Sequence, residues 1–233
     1  MSALTPVAED LWIAEGETVR FFGMPFPTRM TVVRLASGAL WLHSPIRPSD
    51  ALCAELDALG EVAHLISPNK IHHLFMGDFA ARYPGARLYA SPGLAKRRED
   101  LRFDATLDDA PEAAWADALD QLVVRGSKVM EEVVFLHRSS RTLIVADLIE
   151  NFDPKTLGPV FRVVARLGGV VHPHGGMPRD WRLSFRDRET ARACVERILA
   201  WGPERIILSH GLCVSEDAGG FLQRSFAWLT GQA

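Results

Sequence analysis

Three short apolar runs in this chain each lead into a histidine or an aspartate. "VAHLI" (62–66) is followed by "SPNKIHH", which brings His72 and His73. "TLIVA" (142–146) runs straight into Asp147, and "RIILS" (205–209) into His210. Apolar runs of this length, bounded by polar segments, read as buried strands. Their carboxyl ends are where loops from different strands converge and where α/β sites are commonly built. Imidazole nitrogen and carboxylate oxygen are donors that zinc and iron accept. His72, His73, Asp147 and His210 are therefore the candidate metal ligands.

The rest of the chain supplies layers around those strands. "LWIAEG", "TRMTVVRL" and "ALWLHSPI" read as strands, the last two joined by a Ser37-Gly38 turn. "SDALCAELDALG" sets Leu52, Leu56 and Leu59 on one helical stripe, with Asp50 as N-cap and Gly60 as stop. "HHLFMGDFAARYPG" reads as a helix and "ARLYAS" as a strand. "LDQLVV" and "EEVVFL" read as strands before "TLIVA". "LGPVFRVVARLGG" repeats apolar residues at Leu157, Val160, Phe161, Val164 and Leu167, which is helix spacing. "RETARACVERILAWG" and "GGFLQRSFAWL" are further helices. No linker or repeat divides the chain. With 48% hydrophobic and 24% charged residues over 233 positions, one domain spanning 1–233 is expected. Two strand-rich halves flanked by helices predict an αββα sandwich.

Several function classes are disfavoured. A net charge of -3 and a pI of about 6.2 argue against nucleic acid as partner. The longest apolar runs are far too short to span a bilayer, and no membrane partner is expected. Residues 1–30 lack the basic-then-apolar pattern of a secretory signal. Cys53, Cys194 and Cys213 form no CxxC pattern, so a reducing cytoplasm is the expected compartment. GxSxG, P-loop and GxGxxG motifs are absent.

The order of elements and these strand ends resemble the metallo-β-lactamase superfamily over nearly the whole chain. That family carries a His-x-His-x-Asp-His loop between a strand and a helix. A single His follows, then an Asp after a strand, then a final His in a strand-end "GH" context. Here "PNKIHH" stands in the loop. Pro68 and Lys70 replace its first two histidines, His72 replaces the Asp, and His73 keeps the last His. Asp147 matches the later Asp and His210 the final His. No histidine occurs in "VRGSKVMEE", where the middle one belongs, and His43 stands where relatives often have Asp.

The resemblance implies one metal site lost and one kept. The lost site would have used the positions of Pro68 and Lys70 and the middle histidine. Glu131 and Glu132 lie near that missing ligand and are possible substitutes for it. The retained site would hold one zinc or iron ion on His72, His73, Asp147 and His210. The implied activity is hydrolysis of a small ester, thioester, lactone or phosphoester. Asp147 would orient water, and Lys70 would stabilise an oxyanion in place of the missing cation. A mononuclear iron oxidoreductase and a metal-free binding protein are the alternatives. "FFGMPFP" (21–27), with Phe22 and Phe26, sits where the family has a flap over its site. His172 and His174, in "VVHPHGGMPRDWR", are candidate pocket residues, and Arg179, Arg182 and Arg186 are candidate anion contacts.

Overall fold

The computed structural model describes residues 2–21 and 23–231. A seven-stranded sheet runs in sequence order: β1 (Thr5–Ala8), β2 (Leu11–Phe21), β3 (Met24–Arg34), β4 (Leu40–His43), β5 (Val62–Ile66), β6 (Arg87–Ala90) and β7 (Ala105–Thr106). Its first four strands are antiparallel, and β4 to β7 are parallel. The second sheet has the order β11 (Arg205–Leu208), β10 (Thr142–Val145), β9 (Glu132–His137), β8 (Leu119–Val124). Only its β10–β11 pair is parallel. Parallel neighbours need a crossover, and helices supply all of them except that between β6 and β7. α1 (Asp50–Leu59) joins β4 to β5, and α2 (Met76–Arg82) joins β5 to β6. α3 (Pro159–Gly168), the short α4 (Arg179–Arg182) and α5 (Arg188–Ala200) lie between β10 and β11, and α6 (Ala218–Thr230) follows.

Period-two alternation builds the layers. In β4, Leu40 and Leu42 face α1 and α2 through Leu52, Leu56, Met76 and Phe79. Trp41 points the other way, into the space between the sheets, with Tyr89, Trp115, Phe135, Ile144 and Ile207. In β10, Leu143 and Val145 face α5 and α6, which cover the second sheet with Val195, Ile198, Leu222 and Phe226. The order is helix, sheet, sheet, helix, as the sequence predicts.

Local differences have local causes. Ser49, one residue before the expected Asp50, caps α1 by accepting a hydrogen bond from Leu52 N. α2 starts at Met76 rather than at the histidines, because residues 70–75 form a turn in which Ser67 Oγ donates to the His72 carbonyl. The "FFGMPFP" flap is the tip of a long β2–β3 hairpin. Pro25 and Pro27 are tolerated there because β4 pairs with β3 only from Thr31 onward. Phe22 lies outside the described residues.

Candidate metal centre

Each residue of the centre comes from the carboxyl end of a strand. Ser44 follows β4, the loop 67–73 follows β5, Asp147 follows β10 and His210 follows β11. His72 Nε2 lies 3.2 Å from Asp147 Oδ2, and His210 Nε2 lies 3.1 Å from Asp147 Oδ1. One donor atom from each of the three can be chosen so that all lie within 4.8 Å of one another. The other nitrogen of each ring is tied outside the cluster. His210 Nδ1 is 2.7 Å from the Pro27 carbonyl, which only accepts, so Nδ1 carries the hydrogen. His72 Nδ1 is 2.6 Å from Ser44 Oγ. Both Nε2 atoms are thereby aimed at one carboxylate.

The electrostatics follow from burial of a charged group between imidazoles. Burial alone would raise the Asp147 pKa, but the charges and hydrogen bonds of His72 and His210 hold it well below the ordinary carboxylate range. Burial would lower the His210 pKa, yet Asp147 outweighs it and raises it. Glu150, three residues beyond Asp147, is buried and pushed up to about 8 by desolvation.

A fully buried carboxylate fixes the Asp147 loop. Glu132 Oε1 accepts from the amides of Ala146 (2.9 Å) and Leu148 (3.1 Å). Its Oε2 accepts from Asp147 N and from Asn69 Nδ2, both at 2.8 Å. Burial and the neighbouring Asp147 charge push the Glu132 pKa up, against the pull of these donors. Asn69 also donates from Nδ2 to Asp147 Oδ2 (2.8 Å), while its Oδ1 accepts from the amides of Ile71 and His72. One amide side chain thus couples the two loops. Glu132 was a candidate replacement ligand; the structure uses its oxygens on N–H groups instead. Asn69 carries no metal-ligand signature, and the signal for it was an Asn placed to form an Asx turn.

The remaining candidates separate. His73, expected as a ligand, is not in the cluster. Arg98 Nη1 donates to its Nδ1 (2.8 Å) and to its carbonyl (3.0 Å). Burial and then the Arg98 charge lower its pKa, and a guanidinium at that distance repels a dication. Neighbours in a turn project in different directions, so "HH" delivers one histidine to the centre, not two. Lys70 is half-buried and has no hydrogen bond or ion pair among the described residues. Pro68 donates no ligand atom, and its carbonyl accepts from Val133 N, tying the loop to β9. Ser127, in the segment without the middle histidine, accepts from Trp181 Nε1 and pairs with Ser184. Phe26 borders the centre, its ring edge-on to His210 at 5.1 Å. His172 and His174 are exposed and outside the cluster, though His172 Nδ1 lies 3.5 Å from Asn151 Nδ2.

The family described as Domain of unknown function (DUF4336) matches residues 9–167. The chain belongs to that family. The matched span of this DUF4336 chain holds Asn69, His72, Glu132 and Asp147 but ends before His210. No curated protein matches it by sequence. Among solved structures, a metallo-β-lactamase from Pontibacter korlensis is 15% identical. That match has a TM-score of 0.65 and covers 98% of this chain and 99% of the other. A mono-zinc form of a metallo-β-lactamase from Pseudomonas aeruginosa is 12% identical, with a TM-score of 0.62 and coverage of 97% and 96%. Rubredoxin:oxygen oxidoreductase from Desulfovibrio gigas is 10% identical with a TM-score of 0.67, and the match covers 97% of this chain and 61% of that one. The DUF4336 chain has the metallo-β-lactamase fold.

Proposed function

We propose that the chain is a mononuclear metal-dependent hydrolase of a small ester, thioester, lactone or phosphoester, with zinc or iron held by His72, Asp147 and His210. The observation that carries this reading is the aim of two Nε2 atoms at the two oxygens of one buried carboxylate. The Pro27 carbonyl fixes the His210 tautomer from outside, so its Nε2 has a lone pair to offer whenever the ring is neutral. The His72 ring reaches the same state when Nδ1–H donates to Ser44 Oγ. A neutral nitrogen facing a carboxylate at about 3 Å is repulsive unless a proton or a cation lies between them. The raised His210 pKa supplies such a proton in the ion-free chain, and the same donor set can take a cation in its place. Three protein ligands also leave a coordination position open, as catalytic sites require.

A bound ion would supply Lewis acidity and lower the pKa of a water molecule. The chain's own residues do the rest in this reading. Asp147 orients the attacking water, and Asn69 and Glu132 keep Asp147 in register. Lys70, without an ion-pair partner, offers an ammonium to developing negative charge on the substrate. Phe26 gives the substrate an apolar wall next to His210. Hydrolysis of a panel of p-nitrophenyl and thioester substrates by zinc-loaded protein tests the reading. Turnover lost in Asp147→Asn and lowered in Lys70→Met supports it, and no turnover of any substrate class opposes it.

A second reading has its own observation. Two histidines and one carboxylate are also the donor set of non-haem iron oxygenases and oxidases. Iron content with oxygen consumption, and no hydrolysis, would favour it.

A further inference from the structure

We propose that α3 is a peripheral membrane-contact helix that seats this chain on an anionic lipid surface. The apolar residues that give α3 its helical spacing do not face the core. Val160 is 70% exposed, Val163 54%, Val164 44% and Leu167 69%. Their spacing of three, four and seven places them on one stripe. On the other side Ala165 is buried against Phe152, Leu157 and Val170. Isolated exposed apolar residues are ordinary; four large ones aligned on a single ten-residue helix are not.

The charges choose the occupant. Both charged residues of α3, Arg162 and Arg166, are basic. Residues 153–182 hold five basic and two acidic side chains, a net +3 within a chain of net -3. Arg162 turns inward to the Leu157 carbonyl, but Arg166 beside the stripe and the nearby Lys155 and Arg179 are exposed. An apolar stripe with such basic neighbours suits a headgroup boundary: the stripe enters the upper acyl region while exposed basic side chains reach back to phosphate. A second copy of the chain fits less well. Pairing two such stripes would bury on the order of half of the roughly 800 Å² per partner that a stable interface needs.

The expectation of no membrane partner rested on run length. Among the described residues no helix is long and apolar enough to cross a membrane. Length decides crossing; lying on a surface depends on one amphipathic face. The hairpin tip lies on the same side of the molecule, since Phe26 packs on the cluster beneath α3. Lipid contact through α3 would therefore bring the border of the candidate centre close to the bilayer. The proposal does not depend on whether metal is bound.

The test is co-sedimentation of the full chain with vesicles of phosphatidylcholine alone or mixed with phosphatidylglycerol, at low and high salt. Binding should be about tenfold or more stronger to the anionic vesicles at low salt and should weaken as salt rises. The double variant Val160→Ser with Leu167→Ser should keep its melting temperature, because both positions are exposed, and lose about tenfold or more in binding. Arg166→Glu should lower binding to anionic vesicles only. Absence of binding to anionic vesicles overturns the proposal, as does full binding by the double variant. Sedimentation velocity showing a dimer that the double variant dissolves would assign the face to a second copy instead.

Discussion

Ser44 Oγ and His72 Nδ1 are 2.6 Å apart, and Ser44 holds that position with a backbone φ of 55°. A non-glycine residue in the left-handed region costs about 1–2 kcal/mol. The fold accepts that cost at the end of β4, next to the candidate centre. The hydrogen bond it secures orients the ring whose Nε2 faces Asp147.

Ser44→Ala should therefore leave the fold intact, with a stability change of about 1 kcal/mol, and weaken metal binding by about 10–100-fold. Competition with a chromogenic chelator measures it. Unchanged affinity would mean that Ser44 does not orient His72.

His73→Ala should keep the ion. Its ring is engaged by Arg98 and is not part of the His72–Asp147–His210 cluster. Metal content equal to the parent, with loss in His72→Ala, is the expected pair of results from elemental analysis. Loss of the ion in His73→Ala would restore it as a ligand.

Glu132→Ala should be strongly destabilising, by about 3 kcal/mol or more. It would leave the amides of Ala146, Asp147 and Leu148 without their acceptor and remove one of the two acceptors of Asn69 Nδ2. Urea unfolding measures this. A loss below about 1 kcal/mol would show that the clamp is not formed.

Two buried groups set opposite pH dependences. His43 is fully buried, and neither ring nitrogen has a hydrogen-bond partner among the described residues. Burial, then His72, lowers its pKa from 6.5 to about 3. The unfolded chain binds that proton first, so stability falls as pH drops from 6.5 toward 3. His43→Phe, which keeps the stacking on Trp41, should flatten this acid limb. Glu150 is raised from 4.5 to about 8. Its folded form keeps the proton longer, so stability falls as pH rises from 4.5 through about 8. Glu150→Gln should remove that slope. Melting curves across pH 4 to 9 that parallel the parent in both variants would contradict the assignment.

How much of this was legible in the sequence depended on period and spacing. The short apolar runs in "ALWLH" and "TLIVA" located strands, though not which way their side chains face, and the strand ends bearing His72, Asp147 and His210 do converge. Direction within a turn was not legible. "HH" gives no sign that His73 points at Arg98, which arrives from residues well beyond α2. The Asn69–Glu132 bridge spans 63 positions and depends on the packing of one sheet against the other. α3 shows the limit of periodicity: the spacing of Val160, Val164 and Leu167 identified a helix without revealing that its stripe faces outward. β1, β7 and α4 are short elements whose existence depends on neighbours rather than on their own pattern.

The central claim is one ion on three ligands, and metal stoichiometry tests it most directly. The parent chain and the variants Asp147→Asn, His210→Ala and His73→Ala are loaded with zinc or with ferrous iron, dialysed and measured by elemental analysis. The account predicts one ion per chain in the parent and in His73→Ala, and none in Asp147→Asn or His210→Ala. Two ions per chain, no ion in the parent, or an ion retained by His210→Ala would contradict it.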